Sequence, residues 1–247
     1  MKRGPRRRGK SLASRVKPFW MAFALVATIA IVGAALAATW PGFVPKTISV
    51  SGNRIVSRAD ILARAGISPG TSIWVQNTRA IRSRIEAIPY VATASVHRLP
   101  PAALSIVVTE RVPFAILQNG DASVLADREL RVLAPFEGTP SLTVFRLPAE
   151  IALEPGTFVS AAPALALRKT QAALLAKGIA ADELGFDRYG GLEVTLHDGV
   201  RVLLGSQSDM DAKLALVQPI LAQVLRGERR AASIDLRAPA TPVVVYR

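Results

Sequence analysis

The chain has 247 residues, half of them hydrophobic, with 31 Lys and Arg against 18 Asp and Glu, a formal net charge of +13 and no cysteine. Zero cysteine excludes disulfide staples, thiolate nucleophiles and Cys-based metal sites. The charge is uneven: residues 1–18 hold Lys2, Arg3, Arg6, Arg7, Arg8, Lys10, Arg15 and Lys17 and no acid, leaving 23 basic against 18 acidic groups for the rest.

Phe19 to Trp40 follows without a single charge. As a helix, ~22 residues rise roughly 33 Å, the thickness of a bilayer's hydrocarbon core. Trp20 and Trp40 stand near its ends, where amphipathic rings favour the membrane interface. A basic run can bind nucleic acid, but beside an apolar span its simpler role is to keep the N-terminus cytoplasmic and the bulk of the chain outside. Ala35-Leu36-Ala37 is a small-x-small pattern that signal peptidase could read. The apolar stretch is longer than a signal peptide's usual core, so a retained anchor is expected.

Pro41 to Pro45 is expected to be a stiff, non-helical exit. Thr47–Ser51 alternates as a strand with Ile48 and Val50 inward. Ser57, with Asp60 three residues on, starts a helix whose apolar face is Ile61, Leu62 and Ala65; Gly66 stops it. Asn77 or Thr78 caps a second helix with Ile81, Ile85 and Ile88 on one face. Two strands follow, one with Ala92, Ala94 and Val96 inward, the other with Leu104, Ile106 and Val108.

From Phe114 the pattern is mostly strands. Phe114 to Leu117 runs into the hairpin signal Asn119-Gly120, and Asp127-Arg128-Glu129 turns the chain again. A short strand is expected over 142–145, and a helix from Ser160 to Lys177, stopped by Gly178. Leu192, Val194 and Leu196 alternate with polar residues, Asp198-Gly199 turns, and Val200, Val202 and Leu204 return. A helix over 208–225 carries Met210, Leu214, Val217, Leu221 and Val224 at helical spacing, with Pro219 inside it and expected to bend it. The chain closes with Ile234–Arg237 and Val243–Tyr246.

The first of these regions resembles a POTRA domain, through ISVSGNRIVSRADI, GISPGTSIW, IPYVATASVHRLPPAALSIVV and TERVPFAIL. A POTRA-like segment just outside a single anchor with a short basic tail is similar to the FtsQ/DivIB family of bacterial cell-division proteins. VTLHDGVRVLLGS, the proline-bearing helix after it, and SIDLR resemble that family's β-domain. The fold class implied is α+β. It has a basic tail (1–18), a transmembrane helix (19–40), a POTRA domain of order β-α-α-β-β (46–113), and a mostly antiparallel β-domain with two helices (114–247). The turn at 127–129 lacks the glycine that members often carry, which puts its geometry in question. The chain stops at Arg247 without a long polar tail, which fits the Gram-negative type better.

No catalytic constellation is present in the pattern. Both histidines fall on the polar parity of their strands, Asp182-Glu183 is an adjacent pair that points apart, and there is no nucleophile elbow or phosphate loop. The expectation is a non-enzymatic protein with no cofactor and no metal. What remains is a binding surface. Val243 to Tyr246 is apolar on both faces, so it is either an interior strand or an edge to which a partner adds a strand. The resemblance implies FtsB and FtsL as partners, FtsB adding the strand, and points to Arg237, Ala238, Ala240, Thr241, Val243, Val244, Val245 and Tyr246, with Arg188 as a further contact. Two rival readings are a POTRA-bearing protein of outer-membrane assembly or secretion, and a membrane-anchored envelope enzyme.

Overall fold

The computed structural model describes residues 12–120, 122–139, 141–227 and 230–247. The basic residues from Lys2 to Lys10 and the turn residue Asp121 lie outside the described residues. Helix α1 (Leu12–Ala38) begins well before the expected anchor and ends two residues short of Trp40. Within it Trp20–Ala38 is long and apolar enough to cross a membrane, and none of it is buried. The exit is not wholly non-helical: Pro41–Phe43 forms one 3-10 turn. Pro41 is its first residue, where a missing N–H costs nothing.

The contacts divide the chain into two compact units. The first takes in the chain up to Gly52 with Arg58–Arg84 and Ala94–Val108; the second takes in Asn53–Ser57, Ile85–Thr93 and everything from Thr109. Strand β1 (Thr47–Ser51), helices α2 (Arg58–Ala65) and α3 (Thr78–Glu86), and strands β2 (Val91–Leu99) and β3 (Ala103–Glu110) occur in the expected β-α-α-β-β order. They make a three-stranded sheet ordered β1-β3-β2, in which β1 runs parallel to β3 with Ile48 opposite Leu104. The expected inward residues Leu104, Ile106 and Val108 are buried, as are Ile61 and Ala65 of α2. Asn77 is the cap of α3, its Oδ1 accepting the Ala80 N–H at 3.0 Å. The Arg84 guanidinium donates to the Ala65 and Gly66 carbonyls, closing the end of α2.

The second unit is built on a nine-stranded mixed sheet. Its strands are β4 (Ala115–Asn119), β5 (Ala122–Ala126), β6 (Val132–Pro135), β7 (Val144–Leu147), β8 (Ala181–Phe186), β9 (Leu192–Leu196), β10 (Arg201–Gly205), β11 (Ala231–Asp235) and β12 (Val243–Tyr246). Their order is β12-β11-β10-β9-β8-β7-β4-β5-β6. Five of the eight pairings are antiparallel and three parallel. Helices α4 (Ala162–Ala176) and α5 (Met210–Arg226) join the core of one sheet face, where Leu167, Leu174, Leu214 and Val217 are buried with Val194, Val202, Leu204 and Ile234. The opposite parity carries Glu193, Thr195, Arg201, Ser233 and Asp235, a polar face.

Several local expectations shift. The strand expected at 142–145 sits two residues later. Ala161, not Ser160, holds the cap position of α4, without a side-chain bond, and Pro163 enters its first turn. Gly178 does adopt the left-handed conformation, at φ 67°. At the glycine-less turn the strained residue is Leu130, with φ 62°. Its side chain is fully buried, and that burial offsets the ~1 kcal/mol such a conformation costs a residue with a Cβ. The turn is held by Asp127, whose Oδ1 accepts the Glu129 and Arg131 N–H groups at 2.9 Å each. Arg111 donates to both Asp127 and Glu129.

A bare sheet edge as the candidate site

Among the described residues β12 is the last strand of the sheet and pairs on one side only, antiparallel to β11. Val243 faces Asp235, Val244 faces Ile234, Val245 faces Ser233 and Tyr246 faces Ala231, with an irregularity between the last two pairs. The alternation of a strand then decides which side chains are free. Val244 packs against the core, so that face is covered. Val243 and Val245 project from the polar face and are 58% and 52% exposed; Tyr246 is 45% exposed. The apolar composition on both faces thus resolves into one packed residue and two bare valines beside an unpaired backbone edge. Among the described residues the strand order places β12 at an edge and not in the interior.

The chain enters β12 through a turn closed by the Thr241 N–H donating to the Ala238 carbonyl at 3.1 Å, with Ala238, Ala240 and Thr241 all exposed. Arg237 is clamped onto Asp235, Nη2 to Oδ2 at 2.6 Å. The bond from Arg237 holds the Asp235 carboxyl below its ordinary range, and Asp235 in turn raises Arg237. Close approach here requires glycine at position 205, which has φ 65° and would bring a Cβ within 2.9 Å of the Arg237 Cγ. Arg188 belongs to the turn between β8 and β9, where Asp187 Oδ1 accepts the Tyr189 and Gly191 N–H groups at 2.8 Å. Its guanidinium lies 4.8 Å from the exposed Tyr189 ring. A Cβ on Gly191 would meet Gly205 at 3.1 Å, so this turn, Arg237 and the start of β12 share one end of the sheet.

At the other end Arg247 donates to the Gly199 carbonyl at 3.0 Å and its N–H to the Arg230 carbonyl at 2.9 Å. There a cleft of about 500 Å³ opens beside the strand end, lined by Leu221, Val224 and Leu225 of α5 with Asp198, Arg230 and Arg247. Sequence reasoning missed it because the cleft joins α5 to Asp198, Arg230 and Arg247, which no local spacing links to the helix. It also missed Lys213. That side chain is 1% exposed and donates to the Leu204 and Ser206 carbonyls at 2.8 and 2.9 Å, fastening α5 to the end of β10. A lysine next to the apolar stripe signals nothing in a periodicity count. Among the described residues no group of three His, Asp or Glu is placed to hold a metal. Asp182 and Glu183 point apart, as expected, and each has its own partner: the His197 Nδ1 at 3.0 Å for Asp182 and the Arg146 guanidinium for Glu183.

Comparison with known proteins gives two adjoining matches. Residues 43–111 match the POTRA domain, FtsQ-type, and residues 115–237 match the cell division protein FtsQ/DivIB C-terminal family. Together they span more than three quarters of the chain, and the second ends at Arg237, so β12 lies beyond it. Among similar proteins, the cell division protein FtsQ of Mycobacterium leprae is 29% identical over 204 residues, covering 83% of this chain and 56% of that protein. That of Mycobacterium bovis is 28% identical over 226 residues, 90% of this chain and 68% of that protein. That of Bradyrhizobium diazoefficiens is 30% identical over 204 residues, 82% and 57%. The chain thus spans a little over half to about two thirds of these relatives' length. Mycobacterial and rhizobial proteins match alike, so the likeness does not select the Gram-negative type. With both of its folded regions matched to FtsQ-type families in the expected order, the chain belongs to the FtsQ/DivIB family of cell-division proteins.

Proposed function

We propose that the chain is a single-pass, non-enzymatic scaffold of the bacterial division septum, with α1 as a retained anchor, its N-terminus cytoplasmic and its bulk periplasmic. On this reading residues 46–113 help to place the protein. Residues 114–247 capture FtsB, and FtsL with it, by strand addition to β12. The observation that carries the reading is the unpaired edge of β12, flanked by the exposed Val243 and Val245.

Magnitudes decide what such a site must contain. Four backbone hydrogen bonds at about 1 kcal/mol net each only match the cost of ordering an added strand, about 1–2 kcal/mol per residue. Side chains must supply the surplus, and each valine fully buried by a partner contributes about 1.5–3 kcal/mol. Val243 and Val245 supply this surplus, with the part-exposed Tyr246 at the end of the strand beside them.

The test is capture of the periplasmic segment of FtsB by the full chain, compared with Val243→Lys/Val245→Lys. Both positions are exposed, whereas Val244 packs on the core and a charge there would confound folding with binding. The double lysine is expected to weaken capture at least about ten-fold, roughly 1.4 kcal/mol. Equal capture by the two proteins would move the surface elsewhere, and no capture by the wild type would remove the FtsB assignment.

A further inference from the structure

The first unit carries a second exposed apolar feature, far in sequence from β12. Ser72–Gln76 forms a tight turn, with the Val75 and Gln76 N–H groups donating to the Ser72 carbonyl at 3.0 and 3.1 Å. Beneath it Arg98 donates to the Ile73 and Gln76 carbonyls at 2.6 and 2.8 Å. The Gln76 amide, itself buried, donates to the Ser68 and Thr71 carbonyls. Ile73 is fully buried, yet the next two residues point out: Trp74 is 47% and Val75 55% exposed. A loop fastened at this many points does not present a tryptophan to water by being loose.

The same turn is tied to the root of α1. The Ile73 N–H donates to the Phe43 carbonyl at 2.8 Å. The Phe43 and Trp74 rings meet edge to face, centroids 6.2 Å apart. The exposed Trp40 ring lies over Gly42, where a Cβ would meet it at 2.8 Å. Trp40, Phe43, Trp74 and Val75 therefore form one apolar ledge starting two residues beyond Ala38. The headgroup layer outside the hydrocarbon core is roughly 5–8 Å thick on each side. With Trp40 at the boundary of the hydrocarbon core, the three residues of 3-10 turn after it advance the chain only about 6 Å, so Phe43, and Trp74 on it, fall within that layer. Indole and valine on a rigid ledge at this depth suit a lipid interface, which takes the ring's apolar body and its N–H together.

We propose that the Ser72–Gln76 turn is seated in the outer interface of the bilayer that α1 crosses, so that this unit is held to the membrane at two points, the helix and the Trp74–Val75 ledge. The inference rests on the reading of α1 as a retained anchor. The test separates the two through the chain's three tryptophans. The full chain is reconstituted in phosphatidylcholine–phosphatidylglycerol vesicles with or without brominated acyl chains. Trp20→Phe/Trp40→Phe leaves Trp74 as the only indole, and Trp40→Phe/Trp74→Phe leaves Trp20. Seating in the interface predicts that brominated lipid dims the Trp74-only protein roughly two-fold, with blue-shifted emission, and that aqueous iodide barely touches it. Quenching of Trp20 with Trp74 open to iodide would overturn the proposal and leave the anchor standing, freeing the ledge for a protein partner. Quenching of neither would overturn both.

Discussion

The nine-stranded sheet has two ends, and they are treated differently. β6 and β12 are both four residues long and both paired on one side by their neighbour. β6 is blocked. The Val132 N–H donates to the Thr157 carbonyl at 2.9 Å, its own carbonyl accepts the Gly156 N–H at 2.8 Å, and Arg131 bridges to Phe158. Pro135 supplies no donor, and the register slips at Leu125–Ala126. These are the devices by which proteins prevent strands from adding to an edge. Among the described residues β12 meets no covering segment and carries no proline: Pro239 and Pro242 stop short of it, its outward residues on the polar face are valines, and the one device it shares with β6 is a register slip, between Ala231 and Ser233 of its neighbour. The fold thus covers one edge with a segment and a proline and leaves the other as bare valine.

That comparison can be broken from either end. The largest effect is expected behind the bare edge. Lys213→Ala leaves the Leu204 and Ser206 carbonyls unsatisfied in a buried setting and is expected to cost about 3 kcal/mol in denaturant unfolding. Lys213→Met, which keeps the stem, should recover only the packing share. A loss under about 0.5 kcal/mol for the alanine variant would mean that water replaces the ammonium and that α5 does not depend on it. Behind the blocked edge the corresponding support is Arg111, which bonds Asp127 and Glu129 and stacks 5.5 Å from the Phe158 ring. Arg111→Ala is expected to cost about 2 kcal/mol, because Asp127 is buried and loses its charged partner. Protection from hydrogen exchange should fall at the Val132 and Gly156 amides and stay unchanged at β12; a uniform fall would remove the assignment of Arg111 to one edge.

A smaller effect concerns the approach to β12. Asp235 is held below its ordinary pKa by Arg237, so its contribution is present above the unfolded value near 4 and is lost as pH falls through the folded one. Because the pair is partly exposed, Asp235→Asn should cost only about 0.5 kcal/mol at neutral pH. The difference from wild type should start to narrow as pH falls below about 4 and close only once the pH is below the lowered folded value, where both side chains are uncharged. A gap that persists in acid would mean the variant acts through the Arg237 N–H bond to Asp235 and not through charge.

Much of this organisation is legible in the sequence because it is periodic. The α+β class, the order of elements and the buried parities of β3, β9 and β10 follow from alternation and helical spacing. The exceptions have physical causes. Ser160 reads as a cap, but Ala161 and Pro163 open α4 by fixing backbone angles without a side-chain bond. Leu130 adopts a conformation reserved in sequence reading for glycine, because burial outweighs local strain. Lys213 and Arg111 carry their weight by bonding groups 9 and 16 residues away, a distance no local pattern encodes. At the site, the residues of β12 were readable as a strand apolar on both sides. Which face is covered was not, since it depends on the register with β11.

The last test has the smallest expected effect on the fold and bears most directly on the two ends of the sheet. Val243→Lys/Val245→Lys gives β12 the kind of guard that lysines provide on natural edge strands. Val243 stands opposite Asp235, so the new ammonium meets a carboxylate across the pair, and Val245 stands opposite Ser233, where it meets no like charge. Both side chains are already exposed, so unfolding should shift by no more than about 0.5 kcal/mol in either direction. If capture of FtsB is lost at unchanged stability, the bareness of the edge is what the partner reads. If stability falls by several times that amount, Val243 and Val245 support the fold and their exposure carries no message. The same substitution therefore tells a strand left open for a partner from one that has only been left unguarded.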